Sequence, residues 1–217
     1  MGYVEQVVDT ANKSSLYIWG AVLVLSLLVF TVLLEIRAEL LREKEQKARY
    51  LVETAHSLIQ AAYNDANKRR IETKQAQKQA LASLKALRFG QNFYFWVQDQ
   101  SPKMLMHPVQ PSLEGQDLSQ FRDARGKLLF LEMNQLVEQG GEGIIHYYWP
   151  KPGSDVPVEK VSFVKVFGPW EWLVGSGIYV EDVNRVFYRY AGFYLLFLVL
   201  IILPVAYLFG RSLRKVG

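Results

Sequence analysis

The segment 143–153, Gly-Ile-Ile-His-Tyr-Tyr-Trp-Pro-Lys-Pro-Gly, holds residues suited to chemistry with a small charged molecule. Its first half is β-branched and aromatic, the composition of a strand. Strand alternation puts Ile145, Tyr147 and Trp149 on one face, and Ile144, His146 and Tyr148 on the other. Pro150 and Pro152 then bracket Lys151 in a stiff loop that Gly153 releases. A lysine fixed beside a Tyr and Trp face presents one positive charge in an aromatic setting, which suits a small anion. The same residues also describe an amphipathic edge strand with a solvated lysine.

Other residues of this kind recur at predicted strand ends. Tyr94, Trp96, His107 and Lys160 join Tyr147, Trp149 and Lys151 as a candidate pocket. Such a set combines apolar walls with a few placed polar groups. Lysine and histidine supply charge-assisted hydrogen bonds to a carboxylate. Phe93, Phe95, Trp170 and Trp172 read as ordinary sheet core.

Catalytic chemistry has little support. His56 stands alone on a helix, and His107 and His146 are 39 residues apart with no acid at ligand spacing, so no metal box is formed. Gly175-Ser176-Gly177 lies in a strand and is no nucleophile elbow. Gly140-Gly141-Glu142-Gly143 lacks the Lys-Ser/Thr that completes a phosphate loop. Cysteine is absent, which excludes disulfides and thiolate chemistry. No cofactor is called for.

The elements that must position these residues follow from hydrophobic periodicity. From Gly20 to Gly90 there is no intervening glycine or proline. Leu40, Leu41, Ala48, Leu51, Val52, Ala55, Leu58, Ile59 and Ala62 recur at helical steps. The cluster Asn64–Asn67 predicts a break, with Asp65 or Asn67 capping a second helix over Lys68 to Arg88. The long stripe needs cover from the domain, from a second copy, or from both; a shared stripe predicts a homodimer. Strands are predicted at Asn92–Val97, Lys103–His107, Gly143–Trp149, Lys160–Val166 and Trp172–Val180. A helix over Lys127–Gln139, with Leu128, Leu131, Leu136 and Val137 inward, stops at Gly140-Gly141. Gly175 and Gly177 suit a bulge or a close backbone approach. Strands mostly adjacent in sequence imply an α+β fold, an antiparallel sheet of about five strands with the long N-terminal helix over one face.

Two charge-free runs flank this domain: 16–34, of 19 residues, and 190–210, of 21. Each is long enough to cross a hydrocarbon core of ~30 Å. Glu35-Ile36-Arg37 after the first run reads as an anchor boundary rather than a signal-peptide cleavage site. Arg211, Arg214 and Lys215 place the tail in the cytoplasm. The predicted order is a cytoplasmic N-terminus at 1–15, a span at 16–34, an outer domain at 35–189, a span at 190–210 and the start of a linker at 211–217. Membrane lipid is then a partner. The outer segment has 21 basic and 19 acidic residues, so the net charge of +4 is a topology signal and not a nucleic-acid footprint.

Several motifs together resemble a known family. Asn92-x-Tyr94-Phe95-Trp96-Val97-x-Asp99, His107-Pro108, Gly126-Lys127, Tyr147-x-Trp149-Pro150-Lys151-Pro152-Gly153, Pro157-x-x-Lys160 and Trp170-x-Trp172-x-x-Gly175-x-Gly177-x-Tyr179 resemble a single Cache domain of bacterial transmembrane receptors. The resemblance runs from about Arg37 to Val186. It implies a PAS-like sheet and extracytoplasmic sensing of small molecules, often short carboxylates, by chemoreceptors, sensor kinases or cyclic-nucleotide enzymes in the inner membrane. It maps the family pocket onto Tyr94, Trp96, His107, Tyr147, Trp149 and Lys151. Gln98 stands where asparagine is common in the family, and Phe163 where tyrosine is common. The expected partners are a small organic acid and a cytoplasmic signalling module, in the same chain or another. The chain is then a sensor fragment or a sensor-only protein. A membrane-anchored enzyme and a non-sensing dimerisation scaffold are the alternatives. Which of Lys151, Lys160 and His107 meets the anion stays open at this point.

Overall fold

The structure, a computed structural model, describes residues 2–89 and 93–213. Asn92, Arg214, Lys215 and Gly217, which entered the motif and topology readings, lie outside the described residues. Packing divides the chain into two units. One comprises the stretches up to Leu40 and from Val183; the other is Leu41–Asp182.

In the terminal unit, helix α1 (Gly2–Asn67) begins and helix α4 (Val180–Leu213) ends. Both are long and apolar enough to cross a membrane. Their Leu, Val and Phe side chains face outward, as at Leu23, Leu27, Phe197 and Leu200. Such a surface is stable only against lipid or another apolar partner. The two helices touch where the Tyr194 hydroxyl donates to the Ser26 carbonyl at 3.0 Å. The Arg37 Nε donates to Asn184 Oδ1 at 2.9 Å.

The unit Leu41–Asp182 is built on a five-stranded antiparallel sheet. Its strands are β1 (Phe95–Asp99), β2 (Met104–Met106), β3 (Glu142–Pro150), β4 (Pro157–Phe167) and β5 (Trp172–Tyr179). Their spatial order is β2-β1-β5-β4-β3. Three hairpins join sequence neighbours, and β5 closes the order by pairing with β1. This is the α+β architecture that the strand periodicity predicts.

The sheet is covered on both faces. Alternation along β1 sends Phe95 and Val97 to one side, with Phe163, Phe167, Trp172 and Val174. There they meet Ala48, Val52, Ala55 and Ile59 of α1, and Ala80 and Leu84 of α2 (Thr73–Ala86). Ala48, Val52, Ala55 and Ile59 of the helical stripe are therefore covered by the chain's own sheet. The other face takes Trp96, Ile145, Tyr147, Trp149, Val164 and Leu173, closed by α3 (Leu129–Gly140).

Three sequence expectations shift. The polar cluster at Asn64–Asn67 ends α1 rather than capping α2; Asp65 accepts from Arg70 at 3.0 Å, and α2 starts at Thr73 after the left-handed Arg69. The second helix is shorter than Lys68–Arg88 because residues 68–72 form this turn. In α3 the buried set is Leu129, Phe130, Met133, Asn134 and Val137; Leu136 packs against it partly buried, and Leu128 and Leu131 are not in it. The helix begins two residues later than predicted and turns its apolar face accordingly. It does stop at Gly141, whose φ of 74° needs glycine.

Gly175 and Gly177 mark close approach rather than a bulge, since the β4–β5 register runs through them unbroken. A Cβ on Gly177 would collide with the Ser162 hydroxyl and come within 2.5 Å of the Val161 carbonyl. Neither neighbour has room to move inside a fully buried strand pair. Gly177→Ala is expected to destabilise the unit by about 1–3 kcal/mol. Denaturant unfolding followed by tryptophan fluorescence checks this, because Trp96, Trp149, Trp170 and Trp172 all lie in this unit. An unchanged midpoint would contradict the close packing.

Candidate ligand-binding site

Strand register assembles the site. Lys160 on β4 pairs with Tyr147 on β3 and with Tyr179 on β5, so it stands between two tyrosines. Trp96 on β1 pairs with Gly175 on β5, where a side-chain carbon would strike its indole. The absent side chain lets Trp96 lie across β5 towards Lys160. A small cavity results, with about 180 Å³ of empty space. Tyr94, Trp96, His107, Leu129, Phe130, Tyr147, Trp149 and Lys160 line it.

Six of the seven sequence-derived site residues thus come together: Tyr94, Trp96, His107, Tyr147, Trp149 and Lys160. Lys151 does not line the cavity. Its ammonium is held by Glu181 at 2.9 Å and Asp182 at 2.8 Å. Burial works against its charge, but these two carboxylates outweigh that and keep its pKa above the ordinary value. Leu129 and Phe130 were missed because the α3 phase was misjudged. Tyr179 was quoted as a motif position only; its place beside Lys160 depends on the β4–β5 pairing.

Lys160 is 1% exposed. Its Nζ donates to the Tyr94 hydroxyl at 2.9 Å and lies 4.1 Å from the Tyr94 ring centroid. The rings of Trp96 and Tyr179 are each 5.1 Å away, and that of Tyr147 is 6.0 Å away. Among the described residues no carboxylate pairs with it. Desolvation lowers its pKa to about 7.

His107 is equally enclosed. Its Nδ1 accepts from the Gln110 amide at 2.8 Å, so the neutral ring carries its proton on Nε2. Burial, and then the Lys160 charge, hold its pKa to about 3. Its own amide donates to Glu114, which also takes Lys85 at 2.6 Å. The Trp96 and Trp149 indole N–H groups are buried with no acceptor. That of Trp149 acts on the Tyr94 hydroxyl electrostatically but completes no hydrogen bond. Tyr147 is engaged with Ser162 Oγ at 2.9 Å. The cavity therefore offers donors in excess: an ammonium, two indole N–H groups and an imidazole N–H. Buried donors without acceptors are rare in native proteins.

Residues 40–191 match the family described as Single Cache domain 2. The chain belongs to that family. A methyl-accepting chemotaxis protein of Pseudomonas putida, McpP, is 41% identical over 169 residues, which are 78% of this chain and 31% of that protein. Among solved structures, a periplasmic sensor domain of a chemotaxis protein is 50% identical with a TM-score of 0.64, over 64% of this chain and 97% of the other. A Cache chemosensory domain, described for its carboxylic acid recognition, is 43% identical with a TM-score of 0.64, over 66% and 97%. The chain spans about a third of the length of the curated relatives it matches. The Cache fold here is thus that of ligand-binding chemosensory domains, and two apolar helices flank it.

The buried lysine has a consequence for stability. Its folded pKa of about 7 lies below the 10.5 of an ordinary lysine. Between those values the unfolded chain carries a proton that the folded chain lacks. Stability contributed by this group therefore rises with pH from about 7 and is lost as pH falls back, by up to ~1.4 kcal/mol per unit. Unfolding of the ligand-free chain at pH 7, 8 and 9 is expected to show this slope, and Lys160→Met to flatten it. A wild-type slope of zero would mean that the ammonium is well solvated.

Proposed function

We propose that the chain is the sensing part of a two-span inner-membrane receptor whose outer unit binds a short carboxylate and passes a conformational signal into the cell. The observation that carries this is the Lys160 ammonium, buried among aromatic rings beside unpartnered N–H donors and without a counter-charge. A carboxylate supplies two oxygens for those donors and one charge for the ammonium. The small volume and single cation favour a monocarboxylate of a few carbons, its tail against Leu129 and Phe130. That relatives include chemotaxis receptors and a carboxylic acid sensor supports the same reading.

In this proposal the spans are 16–34 and 190–210, with 35–189 outside and both ends in the cytoplasm. Lys160 is the principal contact, and Lys151 is a structural residue. The signal route follows chain connectivity. β4, which carries Lys160, pairs with β5, and β5 continues directly into α4. Closure of the strands on an anion would bias the position of α4. Shifts of ~1–2 Å are typical of such switches. They require a coupling of about 1–3 kcal/mol, and unequal affinity of the ligand for the two states. The output is of the chemotaxis or two-component type, through a cytoplasmic module in this chain or a partner. An enzymatic reading has less behind it: among the cavity-lining residues there is no carboxylate, His107 accepts through Nδ1 from backbone and not from the cavity, and Lys160 has no second acid or base partnered to it.

A thermal-shift titration of the chain with acetate, propionate and butyrate tests the assignment. A saturable stabilisation is expected, worth about 2.7 kcal/mol at a hundredfold excess over Kd. Lys160→Met should abolish it, Trp96→Phe and Trp149→Phe should each weaken it several-fold, and Lys151→Ala should leave affinity within about threefold. Binding unaffected by Lys160→Met, or destroyed by Lys151→Ala alone, would sink the site assignment.

A further inference from the structure

The Lys160 ammonium is the only charge among the residues lining the cavity, and the groups facing it give it no balance. Tyr94 faces it from ahead of β1, His107 from after β2, Tyr147 from β3 and Tyr179 from β5. α3 contributes only Leu129 and Phe130. None of these is an anion near neutrality. Burial drives the Tyr94 and Tyr147 hydroxyls upward and that of Tyr179 to about 12. His107 is neutral, held so partly by Lys160 itself. The next charges outward are already matched, Lys151 with Glu181 and Asp182, and Lys85 with Glu114.

An ammonium so enclosed is disfavoured until a counter-ion arrives, and the arriving carboxylate is that counter-ion. We propose that the site takes up its carboxylate together with a proton on Lys160, so that the protein reads the anion and the acidity of its surroundings as one signal. This rests on the carboxylate-binding reading above and adds to it a regulation of the same site.

The sign follows from the two states of the lysine. In the free site Lys160 loses its proton near pH 7. Below that, the ligand meets a charge already present and affinity is flat. Above it, every binding event must also protonate the lysine, and each pH unit costs about tenfold in apparent affinity until the pKa of the complex is reached. Linkage is reciprocal: at fixed carboxylate, acidification raises occupancy.

Calorimetric titration of the whole chain in lipid nanodiscs, with propionate as the probe, tests this from pH 6 to 9 in phosphate and in Tris. Affinity should fall no more than about twofold from pH 6 to 7 and about tenfold from pH 8 to 9. The buffer dependence of the heat should report about one proton taken up per propionate at pH 8.5 and close to none at pH 6. Lys160→Arg, whose charge does not titrate in this range, should bind without proton uptake. Equal affinity at pH 6 and 9 with no proton uptake overturns the proposal while leaving carboxylate binding intact. A pH dependence that persists in Lys160→Arg but vanishes in His107→Gln also overturns it, by moving the proton to the imidazole. Failure of acetate, propionate and butyrate to bind at any pH takes down the carboxylate reading and this one together.

Discussion

A lysine ammonium held at 1% exposure with no carboxylate beside it is an expensive group to bury, and the binding face is arranged around that cost. Four aromatic rings stand in for its hydration shell, each placed to offer a π-face or a hydroxyl. Cation–π contacts are worth ~0.5–2 kcal/mol apiece, more where water is excluded. Together they ease the burial of the charge without balancing it. In the proposed reading, that incomplete compensation is what would let the cavity take up an anion. The rings belong to β1, β3 and β5 and to the approach to β1, so the arrangement exists only when all the strand pairings are in register.

The sheet divides its labour between its faces. The face under α1 and α2 is closed by plain apolar packing: Val52, Ile59, Leu84, Phe95 and Val174 among others. It supplies stability and asks little of geometry. The opposite face carries the polar placements. Asn134 fastens α3 to the carbonyls of Asp99 and Gln100, and takes a bond from the buried Gln98 amide. Asp123 accepts the amides of Arg125, Lys127 and Tyr148, pinning the loop before α3 onto edge strand β3. These bonds set the positions of Leu129, Phe130 and Trp149, and so set the size of the cavity. Tyr179 joins the site to its exit: Lys160 lies on its ring at 5.1 Å, Lys151 at 5.5 Å, and its hydroxyl holds the Pro150 carbonyl. Lys151 in turn clasps Glu181 and Asp182 in the first turn of α4.

Most of the fold was legible without coordinates, for local reasons. Period-two runs of β-branched and aromatic residues mark β3, β4 and β5 because a pleated strand alternates its faces. Paired glycines end α3, since Gly141 must adopt a left-handed turn. The apolar stripe of α1 is legible because a helix repeats every 3.6 residues. What failed were the boundaries. Asp65 and Asn67 look equally like the start of one helix or the finish of another, because their side chains bond backbone in either role. The phase of α3 depends on where its first turn begins, and two residues of error rotate the buried face from Leu129 and Phe130 to Leu128 and Leu131.

Sequence alone supplied the ingredients: two apolar runs long enough to cross a membrane, an antiparallel sheet under a long helix, and a short inventory of aromatic and cationic residues. It was unable to choose between Lys151 and Lys160. Both are lysines in β-rich segments; Pro150 and Pro152 single out Lys151, while Lys160 has no tyrosine or tryptophan beside it in the sequence. The choice was made by partners distant in the chain. Lys151 finds carboxylates 30 and 31 residues away and is satisfied. Lys160 finds the Tyr94 hydroxyl 66 residues away, and rings instead of acids. Burial and charge balance are properties of assembled neighbours, so only the tertiary structure decided which lysine is left without a counter-charge.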